Sequence, residues 1–185
     1  MATLSDNAVV LVTGPARSGK SEWAETLALR SNKAITYLAT AKLDPDDREW
    51  QARIEQHRLR RPPNWTTLEV PIDLAATICS ATATDCLLID SLGTWLANLL
   101  EQEDEIWETT VQELLKSLEQ TDSTIILVAE EVGWGIVPAY PVGRKFRDRL
   151  GHLVRQIGAI ANQVYLVLGG HVLNLSVLGF RLEED

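Results

Sequence analysis

The sequence is poor in the residues that would announce a metal or redox protein. It has two cysteines, Cys79 and Cys86, with no C-x-x-C pair and no cysteine–histidine cluster. That excludes a zinc site and a disulfide framework, and leaves two free thiols expected to be buried in apolar surroundings. Positive charge is also scarce. Seventeen Lys and Arg stand against 26 Asp and Glu, for a formal net charge of -9. A dedicated nucleic-acid binder shows the opposite balance, so no nucleic-acid partner is expected. No apolar run approaches the ~20 residues of a membrane span. The stretch "MATLSDNAVV" lacks a basic segment followed by a long apolar one, so no secretory signal is expected and a cytoplasmic enzyme is the expected class. Internal repeats and low-complexity linkers are missing too. What remains is an ordinary globular composition, in a chain (1–185) long enough for one domain with a proper core.

Short apolar runs alternate with helical patterns along that chain. "AVVLVTG", "AITYLAT", "TTLEV", "CLLID", "STIILVAEEVG" and "QVYLVLGG" read as strands, the last being the final one. Between them, "KSEWAETLALRS", "IDLAATICSA", "SLGTWLANLLEQ", "EIWETTVQELLKSLEQ" and "RKFRDRLGHLVRQIGAIAN" have helical periodicity. "DPDDREWQARIEQHRLRR", Asp44 to Arg61, starts acidic and ends basic, which suits the dipole of a helix that Pro62 and Pro63 then stop. This alternation predicts an α/β fold of the P-loop NTPase type: a mostly parallel sheet with helices on both faces.

The motif with the highest information is "GPARSGKS": Gly14, Pro15, Ala16, Arg17, Ser18, Gly19, Lys20 and Ser21. It fits G-x-x-x-x-G-K-[ST] at every fixed position and lies between an apolar strand and a helix, where the mechanism requires it. Its glycines let backbone N–H groups face a phosphate, and the helix N-terminus adds positive potential. Lys20 is expected to neutralise β/γ-phosphate oxygens and Ser21 to sit on Mg2+, with a purine nucleoside triphosphate such as ATP or GTP as the ligand. Asp90, closing "CLLID", is the candidate second metal acid, with the N-cap of the next helix as its alternative role. A P-loop does not choose a reaction. The short chain and the lack of basic patches favour a metabolite kinase over a motor. A nucleotide-dependent switch protein is the alternative from another class.

His57 stands among Arg53, Arg58, Arg60 and Arg61. Trp50, Ile54 and His57 are spaced to share one helix face, so packing is the plain reading of the imidazole. The chemical reading is that guanidinium groups hold phosphate oxygens while a neutral imidazole attacks phosphorus.

Taken together, "VTGPARSGKSEWAE", "RIEQHRLRRPPNWTTLE", "LLIDSLGTWLANLL", "EEVGWGIVP" and "RKFRDRLGHL" resemble the bifunctional adenosylcobinamide kinase / adenosylcobinamide-phosphate guanylyltransferase family of cobalamin biosynthesis. The resemblance implies two reactions on a corrinoid, adenosylcobinamide and then its phosphate. It makes His57 the nucleophile that carries GMP. It makes Arg58, Leu59, Arg60, Arg61, Glu69, Asp90 and the "ATA" of Ala39, Thr40 and Ala41 nucleotide-site residues. A homo-oligomer is implied as well. The sequence departs from the family in having Glu130 where relatives usually carry Asn. "EEVGWGIVP", with Trp134 between two glycines, is expected to touch corrinoid or guanine. His152 and His171 are expected to be structural or surface residues.

Overall fold

The computed structural model describes residues 7–42 and 61–182. The helix expected over Asp44–Arg61, with His57, Arg58, Leu59 and Arg60, lies outside the described residues except for Arg61 at its end.

Seven strands form one sheet: β1 (Val9–Gly14), β2 (Ala34–Ala39), β3 (Thr66–Glu69), β4 (Asp85–Asp90), β5 (Thr124–Glu130), β6 (Gln163–Leu168) and β7 (His171–Asn174). Their spatial order is β3-β2-β4-β5-β1-β6-β7. All pairings are parallel but the last, in which β7 returns antiparallel to β6. The described helices are α1 (Lys20–Arg30), α2 (Leu74–Cys79), α3 (Leu92–Leu99), α4 (Asp104–Gln120), α5 (Pro141–Ile160) and α6 (Leu175–Leu178).

The strands at the centre are apolar on both faces because both faces are covered. On one side Val10, Val12, Leu88, Ile126 and Val128 pack against Ala24, Leu27 and Ala28 of α1. On the other, Leu11, Ile89, Ile125 and Leu127 meet α2 to α5 through Leu74, Trp95, Leu114, Leu153 and Ile157. The period of two along each strand decides which residue goes where. Arg149, buried in α5, is held by the carbonyls of Leu100 (3.3 Å) and Gln102 (2.8 Å) and by Asp104 (2.7 Å). Its guanidinium, bonded first and charged second, keeps the Asp104 carboxyl below the usual carboxylate range.

Three expectations change. "QVYLVLGG" is not the last strand: the chain turns through Gly169 and Gly170, both at positive φ, into β7. The helix expected from Arg144 begins at Pro141, where a proline at the first turn loses nothing because its N–H would have no partner there. Cys86 is buried but Cys79 is exposed, because Ile78 takes the inward position at the end of α2.

Candidate active site

The loop Gly14–Gly19 joins β1 to α1 at the C-terminal edge of the sheet. Gly14 has φ 154°, and a Cβ there would lie 2.3 Å from the carbonyl oxygen of Val167 on β6. Gly19 caps α1 at φ 97°, in the left-handed region. Arg17 holds φ 58°, a conformation that costs a non-glycine residue about 1–2 kcal/mol. Such strain persists where the surroundings enforce it, often at ligand clamps. Lys20 is buried and its Nζ donates to Pro15 O at 2.8 Å, folding the ammonium over the loop. The Ser18 hydroxyl is buried in this loop without a hydrogen-bond partner among the described residues. A buried orphan of this kind costs about 1–3 kcal/mol unless a ligand answers it.

Asp90 ends β4, and alternation with Cys86 and Leu88 puts it on the α1 face. Strand β5 intervenes, so Asp90 lies roughly 10 Å across the sheet from β1, in register with Val128 and Val12. The N-cap alternative for Asp90 does not hold. Ser91 caps α3 in a capping box with Thr94, and the Asp90–Ser91 peptide is cis.

Three neighbours fix this corner. From β2, the Tyr37 hydroxyl donates to Asp90 Oδ2 at 3.1 Å. Burial first, and then the Asp90 charge, push the Tyr37 hydroxyl well above the ordinary phenol range, so it remains a donor. From the end of β2, Thr40 accepts Ser91 N–H at 2.9 Å and donates to Ser91 O at 2.7 Å. From β5, Glu130 reaches over with both oxygens, accepting Ser91 O–H at 2.5 Å and Gly93 N–H at 3.0 Å. A carboxylate at the start of α3 suits the helix dipole. Gly93 leaves room for this carboxylate, since a Cβ would sit 2.2 Å from Glu130 Oε2 and push it aside.

The expected nucleotide residues separate on this geometry. Thr40 is fully buried, its hydroxyl is committed to Ser91, and its carbonyl accepts from Asn98 at 2.7 Å. It braces the corner rather than presenting a side chain to a ligand. Ala39 and Ala41 are half-buried around it, and Ala39 stands between Glu69 and Asp90 in register. Glu69 is exposed on the edge strand β3. Arg61 lies with its guanidinium carbon 3.4 Å from the Tyr37 ring centre and donates to Thr67 at 3.3 Å. Trp65 is buried in the α1-side core with Tyr37. Arg61 and Trp65 therefore clamp the end of the basic segment onto β2, whose Tyr37 bonds Asp90 of β4.

Sequence reasoning missed Tyr37, Gly93 and the reach of Glu130. "S-L-G-T" at Ser91–Thr94 was a readable cap signal. Tyr37 and Glu130 had none, because their partners lie 53 and 39 residues away.

The profile of a family described as cobinamide kinase / cobinamide phosphate guanyltransferase matches residues 10–175. The chain belongs to this family. It is 43% identical over 162 residues to a bifunctional adenosylcobalamin biosynthesis protein, CobP, of Pseudomonas aeruginosa, covering 86% of this chain and 92% of that one. It is 34% identical over 177 residues to the bifunctional adenosylcobalamin biosynthesis protein CobU of Escherichia coli, covering 88% and 96%. Among solved structures, the flagellar accessory protein FlaH of Methanocaldococcus jannaschii matches with a TM-score of 0.50 at 14% identity, covering 92% of this chain and 77% of that one. That likeness shows the fold, and the P-loop of this cobinamide kinase / guanyltransferase family member sits where the fold puts it. Among the described residues, no helix is long and apolar enough to cross a membrane.

Proposed function

We propose that this chain phosphorylates the aminopropanol hydroxyl of adenosylcobinamide with ATP or GTP, and then transfers GMP from GTP to adenosylcobinamide phosphate. The products of the second reaction are adenosyl-GDP-cobinamide and pyrophosphate. The observation that carries the reading is the strained phosphate loop, with its buried Lys20 and orphaned Ser18 hydroxyl, in a chain of this family.

In the kinase step the Gly14–Gly19 backbone and Lys20 hold the terminal phosphates while the substrate hydroxyl attacks the γ-phosphorus. The bond to the β–γ bridging oxygen breaks, the nucleoside diphosphate leaves with its electron pair, and the hydroxyl proton passes to solvent. The oxygen donors Ser21 and Asp90 fit Mg2+, a hard cation bound through few carboxylates plus substrate phosphates. When bound, it would neutralise charge on the departing phosphates. Tyr37, Thr40 and Glu130 keep Asp90 in place for that role.

In the guanylyl step His57 attacks the α-phosphorus of GTP. The bond to the bridging oxygen breaks, pyrophosphate leaves with its electron pair, and GMP remains on the imidazole. The corrinoid phosphate then displaces His57 and takes the GMP. Covalent catalysis divides one hard displacement into two easier ones. Arg58 and Arg60 are assigned to the triphosphate. Arg61 anchors the segment, and four residues of chain span at most about 14 Å, which bounds the separation of His57 from the Arg61–Tyr37 clamp. A homo-oligomer fits the apolar side chains left exposed near the C-terminus, including Val177, Leu178 and Phe180.

The test is incubation with Mg2+ and GTP labelled at the α-phosphate, followed by denaturation. Acid-labile, alkali-stable label on the wild-type protein and none on His57→Ala is the expected result. An unlabelled wild type sinks the guanylyl step, and label persisting in His57→Ala moves the nucleophile elsewhere.

A further inference from the structure

A cleft of about 410 Å³ lies between the loop after β5 and the outer face of α5, away from the α1 side of the sheet. It falls in the ~300–1,000 Å³ range of small-molecule sites. One end of it reaches the phosphate loop, since Glu131 N–H donates to Gly14 O at 2.9 Å and Glu130 pairs with Gly14. We propose that this cleft receives the corrinoid substrate. The aminopropanol arm enters it toward Gly14, and the corrin ring lies on the exposed apolar side chains beside it.

Four observations support the assignment, which rests on the activity proposed above. First, the lining mixes signs: it holds Glu131 and Asp148 together with Arg147, Arg155 and His152. A triphosphate asks chiefly for cations, whereas a cationic corrin ring fringed with amides can use acids, donors and acceptors together. Second, α5 divides its arginines. Arg144 ties down the loop through Pro138 O and Ala139 O, at 3.0 and 2.7 Å, and Arg149 is locked in the core. Arg147 and Arg155, two turns apart, meet no hydrogen-bond or ion-pair partner among the described residues. Third, Gly151 lies between them in mid-helix, where glycine costs about 0.5–1 kcal/mol relative to alanine. A Cβ there would meet nothing within 4 Å, so no packing inside the protein asks for the glycine. It leaves the floor of the cleft open. Fourth, the loop exposes Trp134 (61%), Ile136 (97%), Val137 (59%) and Tyr140 (77%) beside the cleft. Large apolar groups grouped in this way mark binding surfaces, and a broad flat ligand reacting at the neighbouring phosphate loop suits them.

Two variants test it. Trp134→Ala removes the flat contact, and Gly151→Leu fills the floor from a helix that tolerates the side chain. Three quantities are read: KM for adenosylcobinamide at saturating nucleotide, labelling by GTP without corrinoid, and subunit assembly by light scattering. KM is expected to rise about tenfold or more in each variant, with labelling, assembly and melting temperature kept. An unchanged KM in both overturns the proposal. So does a selective loss of GTP labelling in Trp134→Ala, which would make the loop a guanine contact, or a change in assembly, which would make it a subunit interface. The activity reading is judged separately, on the wild type. If the wild type turns over no corrinoid, equilibrium dialysis with adenosylcobinamide, followed by corrin absorbance, still decides the cleft. Binding lost in Gly151→Leu supports it, and binding equal in wild type and variant, or none in either, overturns it.

Discussion

Gly93→Ala should destabilise the protein through Glu130, and only through Glu130. The added Cβ would lie 2.2 Å from Glu130 Oε2 and 2.9 Å from its Cδ. The carboxylate must withdraw, losing Gly93 N–H and straining the Ser91 bond. A hydrogen bond to a charged group contributes about 1.5–3 kcal/mol, and its charge at a helix N-terminus a further ~0.3–1 kcal/mol. Alanine for glycine returns about 0.5–1 kcal/mol through helix propensity. The net loss is about 2 kcal/mol, or a fall of roughly 4–8 °C in melting temperature for a chain of this size. The measurement is urea or thermal unfolding of the four members of a double-mutant cycle with Glu130→Ala. Once the carboxylate is gone, Gly93→Ala should be neutral or slightly stabilising, so the coupling should be about 2 kcal/mol. An equal cost in both backgrounds would refute the reasoning, because the clash would then be with something other than Glu130. Phosphate transfer should fall in Gly93→Ala in step, since Ser91 is the residue after Asp90.

Tyr37→Phe keeps the ring under Arg61 but removes the donor to Asp90. The Mg2+ concentration for half-maximal kinase activity should rise several-fold, about what 1 kcal/mol supplies, and an unchanged Mg2+ requirement would count against Asp90 as a metal residue. The same variant has a pH signature. The folded hydroxyl is held above its ordinary value of 10 by burial, so above pH 10 the unfolded chain loses its proton first. Stability is therefore full below pH 10 and falls as pH rises beyond it. Tyr37→Phe should show a shallower alkaline loss in unfolding experiments, and parallel curves would refute the assignment. Burial also pushes the Cys86 thiol up to about 11, so iodoacetamide at pH 8 should modify one cysteine per native chain, Cys79, by mass spectrometry; rapid modification of both would contradict the packing of β4.

The parts of this fold legible in sequence were those that depend on neighbours along the chain. "VVLVTG" and "TIILVAE" announced buried parallel strands because an unbroken apolar run has few other uses at that length. "GPARSGKS" announced its loop because glycine is needed where the backbone is left-handed or crowded, as Gly14 and Gly19 are. β7 was missed because "HVLN" is short, three of its four residues are exposed, and it follows a double glycine that also reads as an end. The candidate metal acid was legible, but what holds it was not. Tyr37 reaches Asp90 only because β2 lies beside β4, and Glu130 reaches Ser91 and Gly93 only because β5 flanks β4 on the other side. Strand order is a tertiary fact with no local signature. Thr40 shows the same limit: nothing in its motif tells that its hydroxyl is spent on Ser91, 51 residues away.

The same corner bears on how one chain could run the two phosphorus chemistries proposed for it. Asp90 is gripped from β2 by Tyr37, and the ring of Tyr37 is covered by Arg61, at the end of the basic segment. Any displacement of Arg61 exposes that ring and raises the local dielectric around Asp90, weakening the hydroxyl–carboxylate bond. Glu130 grips the next residue from the strand that leads into the proposed corrinoid cleft. The acid assigned to the nucleotide is thus braced on one side by the segment assigned to guanylyl transfer and on the other by the wall assigned to the corrinoid. Thermodynamic coupling is reciprocal. If binding of corrinoid tightens the Glu130 side, nucleotide affinity must change by the same factor that nucleotide changes corrinoid affinity, and Gly93→Ala, which breaks the link while leaving Lys20 and His57 untouched, should reduce that factor toward one.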